Sequence, residues 1–124
     1  MKLSILIPVY NEANTIERLI TAVDRVELAC SKEIIVIDDG STDGTKAQIS
    51  KLKLQSQNLK LKTIYHSKNQ GKGAAVRTGI KHATGDYILI QDADLEYDPN
   101  DIPKLLAPLL HHILDPIIQT VPLD

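Results

Sequence analysis

Two runs of β-branched residues, LSILIP at Leu3–Pro8 and EIIVID at Glu33–Asp38, constrain the fold of this chain most. Both are continuously apolar, too short for helices and closed by polar turns, which is the pattern of parallel strands buried on both faces. A third run, LKLKTIY at Leu59–Tyr65, alternates Lys with apolar residues, as a strand near a sheet edge does, and a fourth is DYILIQ at Asp86–Gln91. Parallel strands need crossovers, and the intervening segments supply them. Ile16, Leu19, Ile20, Val23 and Val26 recur at helical spacing, with Asn14 placed as N-cap and Glu17 as its capping-box partner. Ala47, Ile49 and Leu52 suggest a second helix, and Val76, Gly79, Ile80 and Ala83 line one face of a third. A fourth, proline-interrupted helix is expected after Asp98-Pro99, carrying Leu105, Leu106, Leu109 and Leu110. The order β-α-β-α-β-α-β-α with right-handed crossovers predicts an α/β, Rossmann-like, doubly wound and mostly parallel sheet.

Composition narrows the field without choosing a function. With 124 residues, 43% hydrophobic, the chain has material for one domain and its core. A formal net charge of −2 gives no basic excess for nucleic acid. The single cysteine, Cys30, expected in the last turns of the first helix, excludes an internal disulfide and a cysteine-based zinc cluster, so a reducing compartment is the default. The start, MKLSILIPVYNEA, reads as a first strand and not as a signal peptide. The last stretch, LLAPLLHHILDPIIQTVPLD, is broken by three prolines and does not read as a membrane span.

In an open α/β sheet, ligands bind at the carboxyl ends of the strands. The chemically loaded stretches all fall there: PVYNE after the first strand, DDGSTDGT after the second, HSKNQGKG after the third and QDADLE after the fourth. Singly, each has a structural explanation. DDGSTDGT reads equally as a turn and a capped helix, with Gly40 and Gly44 at positive φ, Thr42 as cap and Asp39 facing solvent. GKGAAVRTG meets neither phosphate-loop fingerprint, since Ala74 stands where Ser or Thr is needed; Lys72 and Arg77 read as surface charges and His66 as a solvated loop residue. The third helix nevertheless starts near Lys72 with its free amides toward the strand ends. The cluster Asp92, Asp94, Glu96 and Asp98 is different in kind, because carboxylates packed this closely repel unless a positive group sits among them. Asp92 and Asp94, two apart around a small residue, can present oxygens to one hard cation that also holds a diphosphate, with Glu96 as a third donor. Oxygen donors without thiolate or paired His imply Mg²⁺ or Mn²⁺.

Together, PVYNE, VIDDGSTDGT, NQGKGAAVRTG and GDYILIQDADLEYDP resemble the family 2 glycosyltransferases of the A-type fold, and among them the dolichyl-phosphate or polyprenyl-phosphate mannosyltransferases. The resemblance runs from Lys2 to Leu110, which sets residues 1–110 apart as a partial nucleotide-sugar-binding domain and residues 111–124 as an atypical tail. It implies a strand order 3-2-1-4, with Pro8, Tyr10, Glu12, Ile37 and Asp39 around the nucleotide and Asp39 or Asp38 reading the base or ribose. It implies that Asp92 and Ala93 contact the nucleotide sugar, and that Asp94, the candidate catalytic residue, holds the metal together with Glu96. The donor it implies is GDP-mannose in preference to a UDP-sugar. The acceptor it implies is a lipid phosphate, and the expected location is cytoplasmic, at the cytosolic face of the endoplasmic reticulum or plasma membrane, with a membrane-associated subunit as an expected partner.

The family continues past its acidic motif into a part that builds the acceptor side, and HHILDPIIQTVPLD does not resemble it; the chain is therefore expected to be a truncated nucleotide-binding half. In the order 3-2-1-4 the apolar fourth strand is left at an edge, which the tail either covers or joins as exposed apolar surface. One alternative is a donor-binding module without turnover. Another is a receiver-type phosphoacceptor domain, which uses clustered Asp residues and Mg²⁺ but places its acidic pair after the first strand, where this chain has PVYNE, and needs a Lys after a fifth strand, for which no clear candidate is seen in the sequence.

Overall fold

The computed structural model describes residues 1–56 and 59–93, together with the backbone of a short strand at residues 118–120. The elements are β1 (Lys2–Val9), α1 (Ile16–Arg25), β2 (Ser31–Asp38), α2 (Thr45–Gln55), β3 (Leu61–Tyr65), α3 (Lys72–His82), β4 (Tyr87–Ile90) and β5 (Ile118–Thr120). The sheet order is β3-β2-β1-β4-β5 and every pair is parallel. The expected order 3-2-1-4 is present, with β1 central and paired to β2 along its whole length, from Lys2 opposite Ser31 to Val9 opposite Asp38.

One expectation about the far side of the sheet needs correction, since a fifth strand exists, and of the two fates left open for the β4 edge the tail takes the covering one: Ile88, Leu89 and Ile90 pair with Ile118, Gln119 and Thr120. A three-residue strand carries too little periodicity to be seen in sequence. The proline-interrupted helix expected after Pro99 lies outside the described residues.

Strand side chains alternate between two cores, which is why the β-branched runs are continuous. Ile5, Ile7, Val9, Ile34, Val36 and Leu89 pack on one face with Ile16, Leu19, Ile20 and Val23 of α1 and Ile49 and Leu52 of α2. Leu6, Ile35, Ile37 and Ile90 pack on the other with Ala75 of α3. The five residues expected to form the α1 stripe are all buried. The α3 face is rotated from the expected one: Ala75 and Gly79 are buried, whereas Ile80 is 36% exposed. Gly79 explains the rotation, since a Cβ there would sit 2.8 Å from Ile37 Cδ1 and 3.0 Å from Leu6 Cδ1, so the helix approaches the sheet through its smallest residues.

Helix ends also differ from the sequence pattern. Thr15, not Asn14, is the N-cap of α1 and makes no side-chain cap bond to the helix; its hydroxyl donates to Glu12 Oε2 at 3.1 Å. The N-cap of α2 is Gly44, with φ −80°, so neither Thr42 as cap nor a positive φ at Gly44 holds. Asp43 does the work instead, accepting from the Thr45 amide at 2.9 Å. Cys30 stands in the turn before β2, after α1 has ended at Arg25. The end of α1 is closed from β2, where Lys32 Nζ donates to the carbonyls of Val23, Asp24 and Val26 at 3.0, 2.6 and 2.6 Å.

At the amino end of the sheet a buried carboxylate ties four segments together. Glu33 Oε2 accepts from Ser4 Oγ at 2.5 Å and from the amide and hydroxyl of Thr84 at 2.6 and 2.9 Å. Its Oε1 pairs with Lys62 Nζ at 2.9 Å and faces Lys2 Nζ at 3.6 Å. Burial pushes the Glu33 carboxyl up, but the hydrogen bonds from Ser4, Lys62 and Thr84 outweigh it and hold the group at about 2.

Candidate functional site

The opposite, carboxyl end of the sheet carries the candidate site. Past the paired residues the strands stay connected through Asp39 N to Val9 O at 2.9 Å, His66 N to Asp38 O at 2.8 Å and Gln91 N to Leu6 O at 2.8 Å. The loops therefore leave from a common rigid base. The chain turns after β1 at Asn11, whose φ of 53° is left-handed, a conformation Asn tolerates better than most residues. Its side-chain oxygen accepts from the amides of Thr42 and Asp43 at 2.8 and 3.3 Å, while its own amide donates to Ser41 Oγ at 2.9 Å. Glu12 N donates to Thr45 Oγ1 at 2.9 Å, so PVYNE and DDGSTDGT are laced into one unit.

Gly40 brings the third loop in. Its φ is 73°, and a Cβ there would lie 2.4 Å from both Lys68 C and Asn69 N, which are backbone atoms that cannot step aside. Gly40→Ala is expected to destabilise the fold by about 2 kcal/mol or more, from left-handed strain plus the clash. Denaturant melts of the two proteins measure it; equal midpoints would show that this loop contact is not held in solution.

The loops enclose a cleft of about 380 Å³. Pro8, Tyr10, Glu12, Asp39, Asp92 and Ala93, all expected around the donor, line it. Ile37 lies beneath, fully buried in the α3-side core, and is not part of the lining. Asp38 is also buried and accepts from the Ser41 amide at 3.1 Å. Asp94, Glu96 and Asp98 lie outside the described residues. Among the described residues no group of three His, Cys, Asp or Glu side chains converges as a metal site. The donor set expected to complete one, carboxylate oxygens leaving the end of β4, has the hard-oxygen chemistry that Mg²⁺ and Mn²⁺ take.

Asp39 is not the solvent-facing turn residue of the simpler reading. It is 4% exposed. Its Oδ1 accepts from His66 Nδ1 at 2.8 Å and the Gln70 amide at 2.9 Å, and its Oδ2 accepts from the Gly71 amide at 2.9 Å. Burial pushes its pKa up, yet the bonds from His66, Gln70 and Gly71, with the charge of His66, bring it below the ordinary value.

Three residues of the stretch His66–Lys72, two of them lining the cleft, have defined places. His66 is not a solvated loop residue: its side chain is 10% exposed, and Nε2 lies 2.9 Å from Thr78 Oγ1. Lys72, though 57% exposed, lines the cleft and forms an ion pair with Asp92 Oδ1. Asn69 lines it as well. The one sequence signal for these residues was the amide-rich loop HSKNQGKG at the correct sheet end. Lys72 also opens α3, so its charge sits beside the amides that begin the helix.

The model of the family described as Glycosyl transferase family 2 matches residues 4–123. A dolichol-phosphate mannosyltransferase of Pyrococcus furiosus is 39% identical over 106 residues, covering 86% of this chain and 29% of that relative. Among solved structures, the mannosyltransferase PcManGT from Pyrobaculum calidifontis, in complex with GDP-Man and Mn²⁺, superposes with a TM-score of 0.76 at 30% identity, covering 92% of this chain and 32% of that one. S. aureus TarS in complex with UDP-GlcNAc gives 0.73 at 29% identity, covering 90% of this chain and 32% of that one. The chain thus spans about a third of the length of these relatives. The fold is the A-type glycosyltransferase nucleotide-binding arrangement, and a family match over almost the whole sequence shows that this chain belongs to glycosyl transferase family 2.

Proposed function

We propose that this chain forms the donor-binding part of an inverting glycosyltransferase that moves mannose from GDP-mannose to a lipid phosphate. The observation that carries the reading is the cleft in which Asp39, Asp92 and the start of α3 face one space at the carboxyl ends of β1, β2 and β4. Similarity to a dolichol-phosphate mannosyltransferase and to a mannosyltransferase holding GDP-Man supports the choice of sugar, base and acceptor.

Each end of the cleft suits one part of such a donor. Asp39, buried and acceptor-only, takes N–H or O–H groups of the nucleoside. Lys72 and the leading amides of α3 favour the diphosphate, whose leaving oxygens gain negative charge as the bond to sugar C1 breaks. Asp94 and Glu96 would hold Mg²⁺ or Mn²⁺, which supplies Lewis-acid stabilisation of that leaving group. A phosphate acceptor is already ionised near neutral pH, so displacement at C1 with inversion requires no general base. A lipid acceptor puts the reaction at the cytosolic face of a membrane.

Calorimetric titration of GDP-mannose in Mn²⁺ and in chelator tests the reading. Affinity is expected to fall on the order of 10-fold or more without metal, the scale of a lost charge-assisted contact. Asp94→Asn should reproduce the loss, and UDP-glucose should compete weakly. Equal affinity with and without metal, or preference for UDP-glucose, would overturn the assignment of metal or base.

A further inference from the structure

We infer that His66 is a positioning residue for the nucleoside diphosphate: it fixes the Asp39 carboxylate relative to α3. The inference rests on the donor-site reading above and assigns a part to a residue that touches no ligand in it. His66 spans two elements, Nδ1 to Asp39 Oδ1 at 2.8 Å and Nε2 to Thr78 Oγ1 at 2.9 Å, with Asp39 in the loop after β2 and Thr78 in the middle of α3. Both sides are enclosed, the His66 and Asp39 side chains being 10% and 5% exposed.

The bonding pattern defines what the histidine does. An ionised carboxylate only accepts, so His66 Nδ1 carries a proton. Among the described residues Asp39 Oδ1 takes two donors, His66 and Gln70 N, while Oδ2 takes one, Gly71 N. Oδ2 is therefore the oxygen with acceptor capacity left for a group in the cleft that Asp39 lines. Rotation of the carboxylate would move that lone pair away. Gln70 and Gly71 belong to a loop and shift with it, whereas Thr78 belongs to a helix packed against Leu6 and Ile37 through Gly79. His66 thus refers the nucleoside acceptor to the same helix whose first residue, Lys72, also lines the cleft. The distance between nucleoside and diphosphate subsites is set by this link, as an outer partner sets the orientation of a ligand-holding group.

Substitutions at the two ring nitrogens separate positioning from simple packing. His66→Asn keeps an N–H near the place of Nδ1 and gives up Thr78; His66→Gln reaches toward Thr78 and leaves Asp39 Oδ1 short of a donor. Titration of GDP with Mn²⁺ into the full-length chain is expected to show about 10-fold weaker binding for His66→Ala, for His66→Gln, which loses Asp39, and for His66→Asn, which loses Thr78, because the link needs both ends. In the unsubstituted protein, ¹⁵N NMR of the ring should show protonated Nδ1 and a shift of its resonance on adding GDP. Binding by His66→Gln or by His66→Asn equal to wild type, or a ring protonated only at Nε2, overturns the inference alone. Failure of the unsubstituted protein to bind GDP overturns the donor-site reading with it.

Discussion

Glu33→Ala is expected to lower the stability of the fold by about 3 kcal/mol, for a buried carboxylate whose loss removes the acceptor of several donors at once. The loss goes beyond one contact. Ser4 Oγ, the Thr84 amide and hydroxyl, and the Lys62 ammonium all donate to this carboxylate, and alanine leaves the buried Ser4 hydroxyl facing a cavity at the amino end of β1 and β2. The dependence on pH gives the sharper test. The folded-state carboxyl is held at about 2 against an ordinary 4.5, so the wild-type advantage is fully present above about 4.5 and disappears as pH falls toward 2. A shift of that size corresponds to roughly 3 kcal/mol at neutral pH. Denaturant unfolding of wild type and Glu33→Gln between pH 7 and pH 3 isolates this carboxyl, because the other acids titrate in both proteins. The gap should shrink on acidification. A gap that is constant across the range would show that packing, and not the charge of Glu33, holds these segments.

Asp39→Asn is expected to abolish nucleotide binding to within measurement, about 100-fold or more, while costing about 2 kcal/mol of stability. The amide that best satisfies the site keeps its oxygen toward His66 and Gln70 N, which turns its NH₂ toward the Gly71 amide and the cleft. Two donors then face each other at the half-buried Gly71 amide, and the acceptor proposed for the nucleoside is gone. GDP titration and thermal melting read the two effects separately. Retained GDP affinity would place the nucleoside elsewhere and would redirect attention to Asp38, whose Oδ1 holds the Ser41 amide.

Both residues show where sequence reading stops. The residues around Asp39 read equally as a turn facing solvent, and only the family resemblance of VIDDGSTDGT points to it as a site residue. Glu33 opens the strand that leads to Asp39 and passed as an ordinary strand end. Its donors lie 29 and 51 positions away in Ser4 and Thr84, and nothing local in EIIVID announces them.

The strands β1 to β4, the helices between them, their order and the sheet end that carries the chemistry were all legible in the sequence. Strands buried on both faces must be continuously apolar, amphipathic helices must repeat near every third or fourth residue, and right-handed crossovers then leave few ways to wind the chain. That Pro8, Tyr10, Glu12, Asp39, Asp92 and Ala93 stand together was implied by the family resemblance of the motifs, and they line one cleft. Only the tertiary structure decided that His66 bonds Asp39 across 27 positions, that Lys72 pairs with Asp92, that α3 turns Ala75 and not Ile80 inward, and that Ile118–Thr120 covers β4. These depend on how closely packed elements approach one another. Local periodicity reports which face of an element is apolar; it carries no record of which polar group on a distant element will stand opposite a given side chain once the sheet has formed.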